Sequence, residues 1–279
     1  MAKTPKISVI TISYNSATTI GKTIESVLSQ DYPNTEYVII DGGSTDSTLD
    51  VVSRYKGIAK VISEPDNGIS DAFNKGIHNS TGDLIVFINS DDELLPGAIS
   101  KVAEQYCGKA DIYCCNVIMR DIETGFSCRE KPSTDFPIMP FFRHCAHQGM
   151  FATRSCYEKY GIYDTNVRWP MDLEFLMRAY RMGAKWKYLD IDAAIFNSGG
   201  VTYSVPIYKK KNDYLYIVRK NGGNAIQGWT FFLSIVSTNI AKKFLNIFAK
   251  NLGQRLRYKQ ASDKTYGQDR PPTTSLRTK

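Results

Sequence analysis

The stretch Leu84-Ile85-Val86-Phe87-Ile88-Asn89-Ser90-Asp91-Asp92 passes from an unbroken apolar run to two adjacent carboxylates. Continuous runs of branched and aromatic residues are typical of strands that are buried on both faces of a sheet. We therefore predict a central strand over residues 83–89, with polar residues directly after its carboxyl end. Pro96 then begins a predicted helix that extends through Tyr106.

The same change from apolar strand to polar loop occurs three times before this strand. Strands are predicted over residues 7–12, 36–40 and 60–63, and helices over 20–30, from Ser44 or Thr45 to Arg54, and over 69–77. Alternating strands and helices indicate an α/β fold with a mostly parallel sheet that helices cover on both faces. Ligands of such sheets bind beyond the carboxyl ends of the strands, where these polar loops lie.

The second half of the chain is less regular. Strands are predicted over residues 111–117, from His147 into residue 151, and over 185–195, with a helix over 171–182. Residues 120–145 are expected to form loops and short elements.

Composition bounds the class of protein. The chain has 279 residues, of which 42% are hydrophobic and 23% charged, which excludes a wholly disordered chain or a collagen. The six cysteines form no Cys-x-x-Cys pair and the three histidines add no zinc-like spacing, so we expect free thiols and no structural zinc site. The N-terminus leads directly into a strand, and we therefore expect no signal peptide and a reducing cytoplasm.

Charge is distributed unevenly along the chain. Residues 1–207 have a net charge of −5, whereas residues 208–279 hold fifteen Lys/Arg and three Asp/Glu, a net charge of +12. Such asymmetry suggests contact with nucleic acid or with anionic lipid. No nucleic-acid-binding motif accompanies the basic segment, so an anionic membrane surface is the favoured partner.

The basic segment contains an uncharged run over residues 225–241, with Trp229, Phe231 and Phe232. The run is shorter than the ~20 residues that span a bilayer. Aromatic residues beside Lys and Arg are typical of a helix that lies in the membrane interface. A helix that packs on the preceding domain is the alternative, and the sequence does not separate the two.

Acidic residues gather at the predicted strand ends. Asp41, Asp66 with Asp71, and Asp91 with Asp92 follow strands, and Asp172 with Glu174 opens a helix. Each one taken alone is also explained as a helix cap or a solvated turn. Carboxylates at one edge of a sheet repel each other unless a cation lies among them. Mg²⁺ and Mn²⁺ bind carboxylate oxygens and bridge phosphates, so the pattern suggests a metal-bound nucleoside diphosphate.

With these motifs the chain resembles the family-2 inverting glycosyltransferases of the GT-A fold, of the bacterial surface-polysaccharide type. The resemblance covers about residues 6–205. The matching segments are Ser8-Val9-Ile10-Thr11-Ile12-Ser13-Tyr14-Asn15, Ile40-Asp41-Gly42-Gly43-Ser44-Thr45-Asp46, Ser63-Glu64-Pro65-Asp66-Asn67-Gly68-Ile69-Ser70-Asp71-Ala72-Phe73-Asn74-Lys75-Gly76, Phe87-Ile88-Asn89-Ser90-Asp91-Asp92, His147-Gln148 and Met171-Asp172-Leu173-Glu174.

The resemblance implies a UDP-sugar site at the ends of the first strands. It places Thr11, Tyr14 and Asn15 where the nucleotide enters, Asp41 at the uracil ring, Gly43 where the backbone approaches the donor, Asp66 and Asp71 at the uridine and ribose, and Lys75 at the diphosphate. Lys75 is equally well explained as a surface lysine. Asp91, at the donor, and Asp92 are the implied ligands of Mn²⁺ or Mg²⁺. Many members have Asp where this chain has Asn89, which removes one carboxylate from the motif.

The resemblance also implies a general base and an acceptor site. An inverting transfer needs one base to deprotonate the acceptor hydroxyl, and Asp172 stands at the matching position. A first-turn carboxylate favoured by the helix dipole is the alternative reading of Asp172. His147, Gln148 and Trp169 are candidate acceptor-side residues, with ordinary structural packing as the alternative.

From this resemblance we expect a metal-dependent transferase that moves a sugar from a UDP-sugar to a lipid-linked saccharide. It would work on the cytoplasmic face of the inner membrane in O-antigen, capsule or exopolysaccharide biosynthesis, with no nucleic-acid partner. The expected organisation is a GT-A catalytic domain over residues 1–207, divided near residue 100 into donor and acceptor halves, a basic amphipathic helical extension over 208–265 and a disordered tail over 266–279.

A non-catalytic or nucleotide-diphosphate-binding membrane-associated protein of the same fold is the alternative function. Asp91, Asp92 and Asp172 argue against a non-catalytic protein, because all three carboxylates are present. A nucleotidyl transferase would need a Gly-rich phosphate loop, which residues 11–16 lack. The sequence determines neither the sugar nor the oligomeric state.

Overall fold

The structure, a computed structural model, describes residues 4–122, 125–132, 145–199 and 205–237. Its strands are β1 (Ile7–Ser13), β2 (Thr35–Asp41), β3 (Lys60–Ser63), β4 (Leu84–Asn89), β5 (Glu93–Leu94), β6 (Ile112–Asp121), β7 (Ser127–Glu130), β8 (Met150–Thr153) and β9 (Trp186–Ser198). Its helices are α1 (Ile20–Leu28), α2 (Thr48–Val52), α3 (Ile69–His78), α4 (Ala98–Gln105), α5 (Arg154–Tyr160), α6 (Met171–Arg181) and α7 (Lys211–Lys220), and residues 225–237 form helix α8.

The strands form one mixed sheet in the order β3-β2-β1-β4-β8-β6-β9-β5, and β7 pairs with β6. The first four strands in that order are parallel, as the alternating pattern predicts. The second half adds antiparallel strands, because β8 runs against both β4 and β6. The sheet therefore joins a parallel N-terminal half to a mixed C-terminal half.

Helices cover both faces of this sheet. In β1 the consecutive residues Val9 and Ile10 are fully buried, and they belong to different core clusters because their side chains point to opposite faces of the sheet. Helices α1, α2 and α4 pack on the face of Val9, and α3, α5 and α6 pack on the face of Ile10. Ile217 of α7 belongs to the cluster of Ile10, so the core extends beyond residue 207, the predicted end of the catalytic domain.

Most of the predicted elements are present, and the differences are local. Helix α2 begins at Thr48 instead of Ser44 or Thr45, because the preceding residues form the turn described below. Strand β5 and helix α5 lie where no element was predicted, and β7 is one of the short elements expected within residues 120–145. Strand β5 and helix α5 are short, at two and seven residues, and such lengths show little periodicity.

The uncharged run begins as helix α8, which packs one face on the domain. Phe231 and Phe232 are 4% and 7% exposed, and Phe231 shares an apolar cluster with Leu173 of α6 and Val218 of α7. In the part of the chain that the structure describes, no helix combines the length and hydropathy needed to cross a bilayer. The rest of the predicted extension and the predicted tail lie outside the described residues.

Candidate active site

The carboxyl ends of β1, β2 and β4 lie side by side. Ser13 pairs with Asp41 of β2, and Ile12 pairs with Asn89 of β4. Because the three strands are parallel, the loops that follow them open on the same edge of the sheet. The fold thus brings together three of the polar segments that the sequence places after strands.

Hydrogen bonds connect these loops directly. The backbone N–H of Asn15 donates to Ser44 Oγ at 2.8 Å, and Asn15 Oδ1 accepts from the backbone N–H of Thr45 at 2.9 Å. Asn15 has a φ of +48°, in the left-handed region that asparagine tolerates better than most residues. The hydroxyls of Ser16 and Ser90 lie 2.7 Å apart and join the first loop to the end of β4.

Asp41 lies at the centre of the second loop and is fully buried. Its carboxylate accepts five hydrogen bonds, from the hydroxyls of Ser13, Ser44 and Ser63 and from the backbone N–H groups of Gly43 and Ser44. Burial acts to raise the pKa of Asp41, but the hydrogen bonds from the three serines outweigh it and keep the pKa below its usual value. Asp41 therefore shapes this turn, and its contact with the uracil ring of a nucleotide stays a prediction.

Tyr14, Gly42 and Asp66 lie together beside this turn and form what we call the cradle. Tyr14 is 61% exposed. A Cβ atom on Gly42 would lie 2.3 Å from Asp66 Oδ2 and 3.5 Å from Tyr14 Cδ2, so the missing side chain allows the carboxylate and the ring to approach. Gly43 has a φ of +80°, and a Cβ there would lie 3.3 Å from Pro65 N. Gly42, Tyr14 and Asp66 together form a surface that suits a flat polar ring.

Lys75 and Asp71 lie on α3 and hold the loop after β3. Lys75 Nζ donates to the carbonyl of Pro65 at 2.8 Å and forms ion pairs with Glu64 at 3.0 Å and Asp71 at 3.6 Å. Asp71 also accepts from the backbone N–H of Asn67 at 3.0 Å. The charge of Lys75 is thus shared among protein acceptors, and its contact with a diphosphate stays a prediction.

Thr11, by contrast, faces the interior. Its side chain is fully buried, and its hydroxyl lies 3.0 Å from the hydroxyl of Tyr37. Successive side chains of a strand point to opposite faces, and Thr11 lies on the same face as Val9, which helices α1, α2 and α4 cover. The structure therefore corrects the expected nucleotide contact: of the three residues predicted at the entrance, only Tyr14 and Asn15 lie at the exposed edge.

Asp91 and Asp92 differ sharply in exposure. Asp92 is fully buried and accepts hydrogen bonds from Gln148 Nε2 at 2.7 Å and from the backbone N–H of Asn197 at 3.0 Å. Burial and the charge of Asp91 raise the pKa of Asp92 to about 8, despite these two donors. Asp91 is only partly buried, and burial raises its pKa while His147 acts in the opposite direction.

These contacts determine how the site fits a divalent cation. Among the described residues, no group of three or more His, Cys, Asp or Glu side chains is arranged to hold a metal. Asn89 Oδ1 is buried and has no hydrogen-bond partner in the part of the chain described, and it precedes Asp91 by two residues. One amide oxygen and one carboxylate suit a hard cation whose remaining ligands come from phosphate and water. Both oxygens of Asp92 have protein donors, so its role as a second metal ligand stays a prediction.

His147 lies between Asp172 at the start of α6 and the end of β4, where Asp91 and Asp92 follow. Its Nδ1 is 3.9 Å from Asp172 Oδ2, and its neighbour Gln148 donates to Asp92 at the end of β4. The ring packs edge-on against Phe73, with the centroids 5.4 Å apart. Its Nε2 is buried and has no hydrogen-bond partner among the described residues. The short 3₁₀ turn His147–Gly149 therefore joins the first turn of α6 to the edge that carries Asp91.

Glu174 and Asp172 share the first turn of α6 but have different surroundings. Glu174 is fully buried, and its carboxylate forms ion pairs with Arg178 at 3.0 Å and Lys220 at 2.9 Å. Asp172 is partly exposed and faces His147. Of these two carboxylates, only Asp172 is therefore in reach of an incoming hydroxyl.

Sequence reasoning missed two residues of this site. Asn197, at the end of β9, donates its side-chain amide to the carbonyl of Asp91 at 2.6 Å and its backbone N–H to Asp92. Asp213 of α7 accepts from the backbone N–H groups of Arg168 and Trp169, at 3.1 and 3.0 Å. The partners of each are more than forty residues away in sequence, and neither residue belongs to a motif with a local signal.

Comparison with known proteins reveals similar sequences. The model of glycosyl transferase family 2 matches residues 8–169. An uncharacterized glycosyltransferase of Mycobacterium tuberculosis is 34% identical over 185 residues, which cover 64% of this chain and 70% of the relative. A PGL/p-HBAD biosynthesis glycosyltransferase of the same species is 29% identical over 210 residues, with coverage of 72% and 80%.

Solved structures share the fold. The mannosyltransferase PcManGT from Pyrobaculum calidifontis, in complex with GDP-Man and Mn²⁺, has a TM-score of 0.61 at 15% identity, with coverage of 94% and 86%. S. aureus TarS 1–349 in complex with UDP-GlcNAc has a TM-score of 0.57 at 17% identity, with coverage of 88% and 76%. The chain spans 39% of a longer TarS structure. These likenesses confirm the GT-A fold.

The turn around Asp41 generates a prediction about stability. Asp41→Asn should lower the free energy of unfolding at pH 7 by about 2 kcal/mol, because an amide cannot accept all the hydrogen bonds that the carboxylate receives. The low pKa of Asp41 in the folded state contributes stability above its ordinary value of 3.8, and this contribution is lost as the pH falls below that value. The difference between wild type and variant should therefore narrow below about pH 4.

Urea unfolding from pH 7 to pH 3 measures this effect. Asp50→Asn, at an exposed carboxylate on α2, serves as the control and should change stability by less than about 0.5 kcal/mol. A difference between wild type and Asp41→Asn that stays constant over the whole pH range would show that the ionised carboxylate does not stabilise the turn.

Proposed function

The chain belongs to glycosyl transferase family 2 and is a glycosyltransferase, and on this premise we propose that it moves a sugar from a UDP-sugar to a hydroxyl of a lipid-linked saccharide, with inversion. The observation that carries the proposal is the position of Asp172: His147 Nδ1 lies 3.9 Å from its carboxylate, and the adjacent Gln148 donates to Asp92 at the sheet edge that also bears Asp91. A base on one side and a leaving-group site on the other are what a single displacement needs.

The donor nucleotide binds, in this proposal, at the cradle formed by Tyr14, Gly42 and Asp66. The exposed ring of Tyr14 supplies an apolar face for the uracil, and the carboxylate of Asp66 can accept a hydrogen bond from its imide. The neighbouring Asn15 keeps the loop in place through Ser44 and Thr45. A UDP-sugar donor is consistent with the TarS structure, which is a complex with UDP-GlcNAc.

A Mn²⁺ or Mg²⁺ ion is proposed at Asp91, with Asn89 Oδ1 as a second protein oxygen. Such an ion neutralises the charge that develops on the departing diphosphate. The GDP-Man and Mn²⁺ named for PcManGT are consistent with metal use. Asp92 helps to position this site, because it accepts hydrogen bonds from Gln148 and Asn197. Asn197 also donates to the backbone carbonyl of Asp91.

Asp172 is proposed as the general base. It takes the proton of the acceptor hydroxyl while that oxygen attacks the anomeric carbon, and the bond from this carbon to the diphosphate oxygen breaks on the opposite face. The proton ends on Asp172 and the negative charge on UDP, which balances the step. Trp169 precedes the base by three residues and offers an aromatic face to the acceptor sugar.

Asp172→Asn tests the transfer. The variant should lose about 10²- to 10⁴-fold in turnover at saturating acceptor, because asparagine cannot take up the proton. Its affinity for UDP should change by less than about 1 kcal/mol, because the proposed donor residues lie on other loops. Turnover is measured with Mn²⁺ and a panel of nucleotide sugars on a lipid-linked acceptor, scored as nucleotide release.

Glu158→Gln is the matched control, since Glu158 is an exposed carboxylate on the adjacent helix α5. It should retain wild-type turnover. If Asp172→Asn keeps more than about a tenth of wild-type turnover, Asp172 is not the base. If no nucleotide sugar in the panel is turned over by the wild type, the proposed donor class is wrong.

The metal proposal separates two neighbouring carboxylates. Asp91→Asn should weaken Mn²⁺-dependent UDP binding on the order of tenfold or more, because a charged ligand is lost. Asp92→Asn should bind UDP nearly as the wild type does, because its oxygen can accept from the backbone N–H of Asn197 and its NH2 group can donate to Gln148 once the Gln148 amide turns over. Titration calorimetry with and without EDTA measures both. Binding that does not respond to EDTA would contradict the metal, and an equal loss in both variants would restore Asp92 as a ligand.

We further propose that the chain attaches to the anionic cytoplasmic face of the inner membrane through α8. Its side chains Ile226, Trp229 and Leu233 are 75%, 46% and 55% exposed and recur at helical spacing on one face, while Phe231 and Phe232 pack on the domain. The net charge of +12 over residues 208–279 adds electrostatic attraction. Both features are typical of an interfacial helix.

Liposome flotation tests the attachment. The full chain should float with anionic vesicles at low salt and only partly detach at high salt, because apolar insertion is not screened. Replacing both Trp229 and Leu233 with Ser should release the protein, whereas the same change at the exposed Tyr180 and Met182 of the α6 region should not. If the unmodified chain stays free of anionic vesicles at low salt, the membrane proposal is wrong.

A further inference from the structure

Residues 163–169 form the loop that leads into α6 and carries Trp169 close to Asp172. Helix α3, on the donor side, holds the first part of this loop. Asn74 exchanges two hydrogen bonds with the backbone of Tyr163, at 2.8 and 2.9 Å, and Ser70 Oγ donates to the carbonyl of Val167 at 2.9 Å. The last residues before Pro170 receive their support from elsewhere.

Helix α7 supplies that support. Asp213, in its first turn, accepts with one oxygen, Oδ2, from the backbone N–H groups of both Arg168 and Trp169, at 3.1 and 3.0 Å. At the other end of α7, Lys220 Nζ donates to Asp164 Oδ2 at 2.5 Å. The helix therefore spans the loop and holds it at both ends.

The helix is itself firmly attached to the domain. Ile217 and Val218 are fully buried, and Val218 contacts the cluster that contains Leu173 of α6. Lys220 also forms an ion pair with the buried carboxylate of Glu174 at 2.9 Å. Because α7 packs on the helix that carries Asp172 and also binds the loop before it, the two are fixed relative to each other.

We propose that α7 is a brace for the acceptor side of the site, and that Asp213 is the positioning residue that sets Trp169 and, through the next two residues, the carboxylate of Asp172. The proposal rests on the proposed role of Asp172 as the base. It extends the site beyond residue 169, where the match to the family ends. Asp213 accepts from the backbone N–H groups of Arg168 and Trp169, so its proposed effect on the reaction is through the loop.

The shared acceptor oxygen determines which variants are informative. Asparagine retains one oxygen in the same place and can accept both N–H groups, whereas alanine removes the acceptor and leaves both donors without it. A shift of the loop by about 1 Å is enough to cost on the order of 10²-fold in rate when it carries acceptor and base. The loss of turnover should thus depend on the acceptor oxygen at position 213 and not on the negative charge of Asp213.

The test compares the full-length wild type with Asp213→Ala, Asp213→Asn and Asn212→Ala, an exposed neighbour on the same helix. Asp213→Ala should lower kcat/KM for the acceptor about 10- to 100-fold. Its Kd for UDP with Mn²⁺ should stay within about threefold of wild type. Asp213→Asn and Asn212→Ala should both stay within about threefold in acceptor kcat/KM. Amide hydrogen exchange at residues 168 and 169 should accelerate only in the alanine variant.

Wild-type acceptor kinetics in Asp213→Ala, or an equal loss in Asp213→Asn, would overturn the brace. A parallel loss of UDP affinity would overturn it too, because it would indicate general damage. If Asp213→Ala does not fold, exchange in the wild type decides: protected amides at 168 and 169 support the contact, and unprotected amides overturn it. Should Asp172→Asn retain transfer, the base proposal fails, and the exchange data still decide whether Asp213 holds the loop.

Discussion

The carboxylate of Asp92 accepts hydrogen bonds from Gln148 and from Asn197, which are 56 and 105 residues away in the chain. A fully buried carboxylate is costly unless donors satisfy its oxygens, so these three segments are obliged to meet. The end of β4, the 3₁₀ turn after residue 146 and the end of β9 thereby acquire fixed positions. Asp91 and His147 are the immediate neighbours of two of these residues and take their positions from this contact.

The same division between a buried and an accessible carboxylate occurs twice. Asp92 and Asp41 are fully buried, accept hydrogen bonds from protein donors and shape the backbone around them. Asp91 and Asp66 are partly exposed beside them and are available to a ligand. The inner carboxylate fixes the turn, so a ligand that bound the outer one would not have to supply the entropy cost of ordering a loose loop.

The two halves of the domain meet at the loop before α6. Asn74 and Ser70 of helix α3 hold this loop from one side, and Asp213 of α7 holds it from the other. The carboxylate of Asp172 follows directly. The position of the loop before α6 is therefore tied to both helices by hydrogen bonds to backbone groups, which do not depend on the identity of the loop side chains.

The sequence by itself determined the order of the helices and of strands β1 to β4 in the first half of the chain, and the polar clusters at the ends of these strands, but not the short strand β5. Apolar runs and helical spacing are local signals, and the edge of a parallel sheet follows from the alternation of the two. Helix α2 shows where this reasoning ends: its start is displaced to Thr48, because the preceding residues fold around Asp41.

Only the tertiary structure decided which polar residues face the site. Thr11 and Tyr14 are three residues apart, yet one is buried against Tyr37 and the other is exposed. Lys75 is paired with Glu64, and Glu174 with Lys220, and neither pair has the i,i+4 spacing that a local pattern would show. The partners of Asp92 and Asp213 come from distant segments, and a carboxylate becomes structural or reactive according to whether such donors reach it. That outcome depends on the packing of the whole chain and not on the residues beside it in sequence.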